Sequence, residues 1–182
     1  MPGRVKTRLE VDPIRAAELH SAFVRETLTM LDQFPGIADV EISTDEPAKS
    51  WSEFHFSRSL QVPGDLGQRL FAAIRGALDG GRPRVLILGS DSPTLPPGHV
   101  RTLLASRADV AIGPTEDGGF YGIACRRAAP EMFHEVRWSS ASVLEDTVRA
   151  LQRCGLTFEL GPHWFDVDTP ADLERLGLWY RK

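Results

Sequence analysis

Residues 85–95 read Val-Leu-Ile-Leu-Gly-Ser-Asp-Ser-Pro-Thr-Leu, and this stretch decides the fold class of the chain. Its unbroken apolar run contains β-branched residues and stops at small residues, one acid and a proline. Such a run is typical of a strand buried on both faces in a parallel sheet. Ligands of open α/β sheets bind at the carboxyl ends of the strands. The stretch therefore predicts that Asp91 lies at a ligand-binding edge.

Helical and strand patterns alternate along the rest of the chain. Apolar periodicity and capping residues predict helices at residues 13–33, 66–78, 97–105, 141–154 and 170–178, and strands at 37–43, 85–88, 109–113 and 120–125. Asp12 and Thr169 are the expected caps of the first and last helices, and residues 44–56 carry no regular pattern. The alternation predicts one α/β domain over residues 1–182, with helices covering a mixed but mainly parallel sheet and residues 85–88 at its centre.

Composition and charge narrow the possible partners. The chain has 182 residues, of which 42% are hydrophobic, and this length is sufficient for a single domain with a core of its own. The net charge of −4, without a long basic cluster, argues against a nucleic-acid or membrane-surface partner. Apolar runs reach strand length only, and Cys125 and Cys154 match no metal or redox spacing. We expect a cytoplasmic protein, either a monomer or a homodimer.

Two acidic sites follow predicted strand ends. Asp91 is the first, and residues 166–173, Asp-Val-Asp-Thr-Pro-Ala-Asp-Leu, form the second. Two carboxylates that converge can hold Mg²⁺ or Mn²⁺ against phosphate groups, because these cations prefer oxygen ligands. An aspartate in either acidic site could instead cap a helix. We favour this interpretation for Asp172.

Six motifs in this order resemble one bacterial family. They are Pro2–Leu9 (PGRVKTRL), Gly64–Arg69 (GDLGQR), Gly89–Pro93 (GSDSP), Gly113–Tyr121 (GPTEDGGFY), Trp138–Ser140 (WSS) and Asp166–Pro170 (DVDTP). The family is DUF2064 of the glycosyltransferase-A superfamily, in which some members are named as arsenosugar-biosynthesis or radical-SAM-associated glycosyltransferases. The resemblance implies the Rossmann-like, three-layer nucleotide-diphospho-sugar transferase fold. Molybdopterin cytidylyltransferases, phospholactate guanylyltransferases and sugar-phosphate nucleotidyltransferases share that fold.

The resemblance also implies roles for the glycine-rich and basic segments. Gly3, Arg4, Lys6 and Arg8 would cradle the phosphates of the donor, whereas the alternative for these residues is a solvated basic tail. A second segment contains Gln61, Gly64, Asp65 and Gly67. In one interpretation its backbone lets the donor's base or ribose approach closely; in the other, the segment starts a helix that Asp65 caps.

Further roles concern the acceptor and the cation. Asp117, followed by two glycines, would leave room for an acceptor or forms a hairpin turn. Trp138–Ser140 would line the acceptor pocket, or a serine there caps the next helix. By analogy with a D-T-P-x-D-L segment of sugar-phosphate cytidylyltransferases, Asp168 is the second metal ligand and Asp166 a weaker candidate. The five histidines are expected to be surface or packing residues.

One departure from the family pattern concerns the first strand. The pattern places an apolar strand directly before the Pro2–Leu9 motif, whereas this sequence starts at Met1. Because that strand is central in the fold, its loss would leave unpaired backbone groups on its neighbours, each costing about 1 to 3 kcal/mol. We expect an unfilled position, a repacked core or a substituting segment beside residues 85–88.

Together these features predict a metal-dependent transferase that uses a nucleotide or nucleotide-sugar donor and a small acceptor. The catalytic residues would be Asp91, Asp117 and Lys6, with Mg²⁺ or Mn²⁺ on Asp91 and Asp168. Glycosyl transfer is the leading reaction. Nucleotidyl transfer is the alternative, because the acid after the strand lacks the D-x-D pair of most glycosyltransferases. An inactive nucleotide-binding or scaffold protein is the third possibility.

Overall fold

The computed structural model describes Gly3 and residues 5–34, 39–47 and 50–179. Their helices are α1 (Pro13–Asp32), α2 (Leu66–Asp79), α3 (Pro97–Ala105), α4 (Val143–Arg153) and α5 (Pro170–Trp179). Their strands are β1 (Glu41–Thr44), β2 (Ser57–Leu60), β3 (Val85–Leu88), β4 (Val110–Pro114), β5 (Phe120–Cys125) and β6 (Phe158–Leu160). A single 3₁₀ turn, Thr7–Leu9, precedes α1.

All five predicted helices are present, and each begins and ends within two residues of the expected position. The first helix starts where predicted because the Asp12 carboxylate accepts hydrogen bonds from the amides of Ile14 and Arg15, at 2.8 and 3.3 Å. The strands β2 and β6 were not predicted. Both are short and mostly exposed, so neither carries an apolar pattern.

The described strands form two sheets, a four-stranded part and a two-stranded part. In the four-stranded part the order is β3-β5-β4-β6, with β5 antiparallel to both neighbours and β6 parallel to β4. Consequently β3, β4 and β6 all point the same way, as the predicted mainly parallel sheet requires. The strands β1 and β2 form a separate parallel pair.

Helices cover both faces of the four-stranded sheet. On one face, Ile74 of α2 and Leu151 of α4 pack against Ile112 and Ile123 of the sheet. On the other face, Met30 of α1 and two residues of α3, Val100 and Leu103, pack against Ala111 and Tyr121. This is the predicted three-layer sandwich. Within the described ranges, none of the helices combines the length and apolar character that crossing a membrane requires.

The strand β3 does not lie at the centre of the described sheet, in contrast to the prediction. It is the end strand of the four-stranded part, and each of its residues is partly exposed. Among the residues that the structure describes, no strand pairs with its outer edge. An ion pair between Asp39, just before β1, and Arg82, just before β3, joins the two sheets at 2.5 Å.

The outer edge of β3 predicts uneven amide hydrogen exchange. Gly89 N donates to Tyr121 O at 2.9 Å. Because hydrogen-bonded positions alternate in an antiparallel ladder, the Ile87 amide also faces β5. The amides of Leu86 and Leu88 therefore face away from β5. We expect the two outward amides to exchange at least about tenfold faster, a difference of roughly 1.4 kcal/mol in opening free energy. NMR-detected exchange measures this. Equal protection of all three amides would show that a further strand covers the edge.

Candidate active site

The carboxyl ends of β3 and β4 lie at one edge of the sheet. Leu88 and Gly113 both face Gly122 near the start of β5, so the segments that follow these two strands emerge side by side. The segment before α5 reaches the same edge, where Val167 N donates to Asp91 O at 2.8 Å. The fold thus brings the two acidic sites of the sequence together.

The Lys6 ammonium group lies between the two acids that were predicted to hold a metal. Its Nζ is 2.6 Å from Asp91 Oδ1 and 2.8 Å from Asp168 Oδ1, and it donates to Val167 O at 2.8 Å. The two carboxylate oxygens are therefore at most 5.4 Å apart, the sum of the first two distances. Asp91 and Asp168 thus lie on either side of one positive charge, and the shared divalent cation stays a prediction.

Local packing directs Lys6 into the site. Lys6 adopts a left-handed backbone conformation, with φ of 50°, and directly precedes the 3₁₀ turn Thr7–Leu9 as its N-cap. Leu9 is buried in a cluster with Phe23, Phe165, Val167 and Leu176. Because this anchor fixes the backbone, the Lys6 side chain points inward and is only 3% exposed. The alternative interpretation of Lys6 as part of a solvated basic tail is therefore wrong.

The other members of the basic loop are arranged differently. Arg8 is 67% exposed, and its Nη1 lies 3.5 Å from Asp168 Oδ2. Gly3 is exposed, with φ of 80°, and a side chain there would meet nothing within 4 Å. Arg4 lies outside the described residues. Arg8 therefore adds positive charge at the rim of the site, where a phosphate could reach it.

Asp166 lies near these charged groups, and its carboxyl group has an unusually high pKa. Burial raises its pKa to about 6, and negative charge on Asp91, Asp117 and Asp168 acts in the same direction. Ser92 Oγ donates to Asp166 Oδ1 at 2.5 Å, which opposes the rise. The sequence predicted Asp166 only as a weaker metal ligand, because nothing in the local pattern revealed its burial.

His20 of α1 lies within electrostatic range of this site. Burial lowers its pKa, the charge of Asp91 raises it, and the charge of Lys6 lowers it. The sequence predicted a surface or packing role for His20. No local signal separates it from the other histidines, because its position follows from how α1 packs.

Asp117 lies in the hairpin turn between β4 and β5, one of its two predicted roles. Its Oδ1 accepts from Thr115 Oγ1 at 2.6 Å and from Gly119 N at 3.1 Å. Gly118 has φ of 88°, and a Cβ there would lie 2.1 Å from Ala141 O. The turn therefore needs glycine, and it holds the Asp117 carboxylate near enough to raise the pKa of Asp166.

The segment before α2 has a structural explanation for its acid and glycines. Asp65 accepts from Gln68 N at 2.8 Å, and Gln68 accepts from Asp65 N at 2.9 Å, which completes a capping box. A Cβ on Gly64 would lie 2.2 Å from Gln68 Oε1, and one on Gly67 would lie 3.1 Å from Phe133. Gln61 accepts from an arginine, Arg69, at 3.3 Å. The helix-start interpretation accounts for these contacts.

The remaining motif residues make contacts that stabilise local structure. The Trp138 ring stacks edge-on against Phe120, with centroids 6.4 Å apart, next to the same edge of the sheet. The alternative in which Ser139 or Ser140 caps α4 is wrong, because the N-cap is Ser142 and it makes no side-chain cap bond. Ser140 Oγ accepts from Ser142 N at 3.2 Å, in the turn before the helix. Asp172 caps α5, as predicted, because its Oδ2 accepts from Thr169 N at 2.8 Å and Thr169 Oγ1 at 2.7 Å. It also accepts from Asp168 N at 3.1 Å and so positions that residue.

The donor set suits a divalent cation that arrives with phosphates. No group of three or more His, Cys, Asp or Glu side chains in the described part of the chain could hold a metal by itself. Mg²⁺, however, is usually bound through one or two carboxylates together with substrate phosphates. Asp91 and Asp168 already converge on one cation, the Lys6 ammonium, so these residues fit Mg²⁺ or Mn²⁺.

The sheet order and the site at its carboxyl edge define a nucleotide-diphospho-sugar transferase fold. A crystal structure from Desulfovibrio desulfuricans G20, described as a nucleotide-diphospho-sugar transferase, superposes with a TM-score of 0.86 at 35% identity, covering 97% of this chain and 81% of that one. A CMP:2-keto-3-deoxy-manno-octonic acid synthetase in complex with CTP shares the fold, with a TM-score of 0.64 at 17% identity over 100% of this chain and 93% of that one.

The family model for DUF2064, uncharacterized proteins conserved in bacteria, matches residues 16–140, and the chain belongs to this family. It is also similar to two curated 2-phospho-L-lactate guanylyltransferases. That of Methanothermobacter thermautotrophicus is 33% identical over 141 residues, which are 72% of this chain and 60% of the relative. That of Methanosarcina barkeri is 29% identical over 107 residues, which are 57% of this chain and 50% of the relative. The matched region thus spans 60% and 50% of the lengths of these two relatives.

The raised pKa of Asp166 predicts a pH-dependent stability difference. An unfolded aspartate has a pKa near 3.8 and the folded one about 6, so the folded state holds the proton more tightly. Its stabilising contribution is complete below pH 3.8 and is lost as the pH rises through 6. Asp166→Asn should gain stability relative to wild type between pH 4 and 7, by on the order of 1 to 3 kcal/mol.

Urea unfolding of both proteins at several pH values measures this difference. Asp79→Asn is the matched control, because it removes an exposed acid that pairs with Arg75 at the far end of α2. Parallel stability curves for wild type and Asp166→Asn would contradict the assignment of a raised pKa.

Proposed function

We propose that this chain is a metal-dependent transferase that uses a nucleotide donor and transfers the nucleotidyl group to a small acceptor. The observation that carries this proposal is the convergence of Asp91 and Asp168 on the Lys6 ammonium at the carboxyl edge of the sheet. In open α/β sheets this edge is where ligands bind. The nucleotide-diphospho-sugar transferase fold and the two guanylyltransferase relatives support the same class.

Each residue has a role in this proposal. Mg²⁺ or Mn²⁺ on Asp91 and Asp168 would bridge the donor phosphates and neutralise part of their charge. Lys6 and Arg8, with Arg4 and Gly3 of the same loop, bind the phosphates and stabilise the negative charge that develops on the leaving group. Asp117 lies on the side from which the acceptor enters. The Gln61–Gly67 segment lies against the donor's base or ribose.

The reaction balances without an added base when the acceptor is a phosphate. An acceptor oxygen attacks the α-phosphorus of a nucleoside triphosphate, the bond to the bridging oxygen breaks, and pyrophosphate leaves. An ionised phosphate acceptor has no proton to remove. The enzyme then acts by orientation and by electrostatic stabilisation of the transferred group.

Two observations favour nucleotidyl over glycosyl transfer. The curated relatives are guanylyltransferases, and Asp91, the acid that follows β3, has no second acid two residues away to form a D-x-D pair there. Glycosyl transfer, the leading expectation from the sequence, is the second candidate. It is supported by the 35% identical structure described as a nucleotide-diphospho-sugar transferase. An inactive nucleotide-binding or scaffold protein is the third.

A two-stage experiment separates these candidates. Thermal-shift screening against nucleoside triphosphates and nucleotide sugars with Mg²⁺ or Mn²⁺ identifies the donor, since a ligand at a hundred times its Kd stabilises by about 2.7 kcal/mol. Phosphorus NMR then follows the bound donor with small phosphorylated hydroxy acids, including 2-phospho-L-lactate. Pyrophosphate release indicates nucleotidyl transfer, nucleoside diphosphate release indicates glycosyl transfer, and binding without turnover indicates the third candidate.

The cation site predicts a non-additive mutant pair. Asp91→Asn and Asp168→Asn each remove a charge that holds the cation, so each should weaken binding of the Mg²⁺–nucleotide complex by ~100-fold or more, about 2.7 kcal/mol. The double mutant should be no worse than either single mutant, because residues that act as a unit are non-additive. Isothermal titration calorimetry measures the affinities, with Asp79→Asn as the control. Unchanged affinity in Asp91→Asn would leave a purely structural role for that residue.

A further inference from the structure

The Lys6 ammonium lies among three oxygen atoms of the described residues. It donates hydrogen bonds to Asp168 Oδ1 and Val167 O, both at 2.8 Å, and forms an ion pair with Asp91 Oδ1 at 2.6 Å. The Lys6 side chain is 3% exposed, whereas the two carboxylates are 46% and 30% exposed. The lysine thus fills the space between the two acids, and the acids themselves stay open to a ligand.

A divalent cation bound to the same two Oδ1 atoms would compete with this ammonium. Mg²⁺ binds oxygen at roughly 2.0 to 2.1 Å, closer than Lys6 Nζ lies, so the space between these two atoms admits one cation. Two cations this close repel each other strongly in a partly dehydrated site. The two Oδ1 atoms therefore hold either Lys6 or the metal.

Displacing the ammonium requires movement of the side chain alone. Lys6 carries its charge on a flexible stem of four carbons, while Leu9, 1% exposed, keeps the backbone of the loop in place. An ammonium that leaves the two acids needs another anion, and free Mg²⁺ or Mn²⁺ brings none. A metal–nucleotide complex brings both the cation for the acids and phosphate oxygens for the lysine.

We propose that Lys6 occupies the cation position of the ligand-free protein and is displaced only by a metal–nucleotide complex, so that free divalent metal binds poorly. This inference rests on the proposed function for the identity of the complex. The exchange itself follows from the contacts of Lys6. It makes Lys6 a gate for the metal as well as a phosphate ligand.

Metal titration of charge variants tests the exchange. The probe is Mn²⁺ alone, followed by electron paramagnetic resonance, with wild type, Lys6→Gln and Lys6→Arg. Lys6→Gln should bind Mn²⁺ at least about tenfold more tightly than wild type, because the competing charge is absent. Lys6→Arg keeps the charge and should remain weak. Affinity in Lys6→Gln that equals or falls below that of wild type overturns the proposal.

Two controls locate the effect. Arg75→Gln removes one positive charge from an exposed ion pair with Asp79, and it should leave Mn²⁺ affinity unchanged. Adding Asp91→Asn to Lys6→Gln should abolish the gain. A gain that persists in this double mutant overturns the proposal, because the metal would then be bound elsewhere.

A second measurement uses the wild-type protein and does not depend on how a variant folds. The sequence contains three lysines, Lys6, Lys49 and Lys182, so ¹⁵N-lysine labelling yields a simple side-chain NMR spectrum. Saturating Mg²⁺–GTP should shift the Lys6 ammonium signal, whereas the same concentration of Mg²⁺ alone should leave it in place. A Lys6 signal that moves equally with Mg²⁺ alone overturns the exchange.

The outcomes separate this inference from the proposed function. If Lys6→Gln gains Mn²⁺ affinity while no nucleotide binds wild type, the competition between Lys6 and the metal stands, and the nucleotide as the displacing ligand is wrong. If wild type binds and transfers a nucleotide while Lys6→Gln gains nothing, the proposed function stands and the exchange is wrong.

Discussion

A single buried ammonium connects parts of the chain that are far apart in sequence. Lys6 joins the loop before α1 to the end of β3 and to the segment before α5, 162 positions away. The acids need a positive partner because their site is partly dehydrated, and removing one partner of a buried ion pair typically costs about 3 to 5 kcal/mol. Asp91 and Asp168 retain some contact with water, so the cost here lies below that range.

The arrangement around Lys6 follows from the packing beneath it. Leu9, Phe23, Phe165, Val167 and Leu176 bring together the 3₁₀ turn, α1, the segment before α5 and α5 itself. Apolar burial of this cluster stabilises the fold and, as a consequence, aims Lys6 inward. The geometry of the site therefore depends on a small hydrophobic cluster that carries no chemistry of its own.

The charges of the site work against stability and in favour of cation binding. Burial leaves Asp166 with a pKa of about 6, and the negative charges of Asp91, Asp117 and Asp168 contribute to the rise. Such repulsion is tolerated where a ligand supplies the missing positive charge. The helix caps formed by Asp65 and Asp172, by contrast, satisfy backbone amides and are fully explained by local structure.

The sequence by itself determined the helices, the strands β3, β4 and β5, and the two acidic segments, because periodicity and capping depend on near neighbours in the chain. Only the tertiary structure decided that β3 ends the four-stranded sheet, that the short polar strands β2 and β6 form, and that Lys6 fills the cation position. It likewise brought His20 near the acids. These features depend on contacts between distant segments, and the residue types at those positions are compatible with several packings until the core selects one.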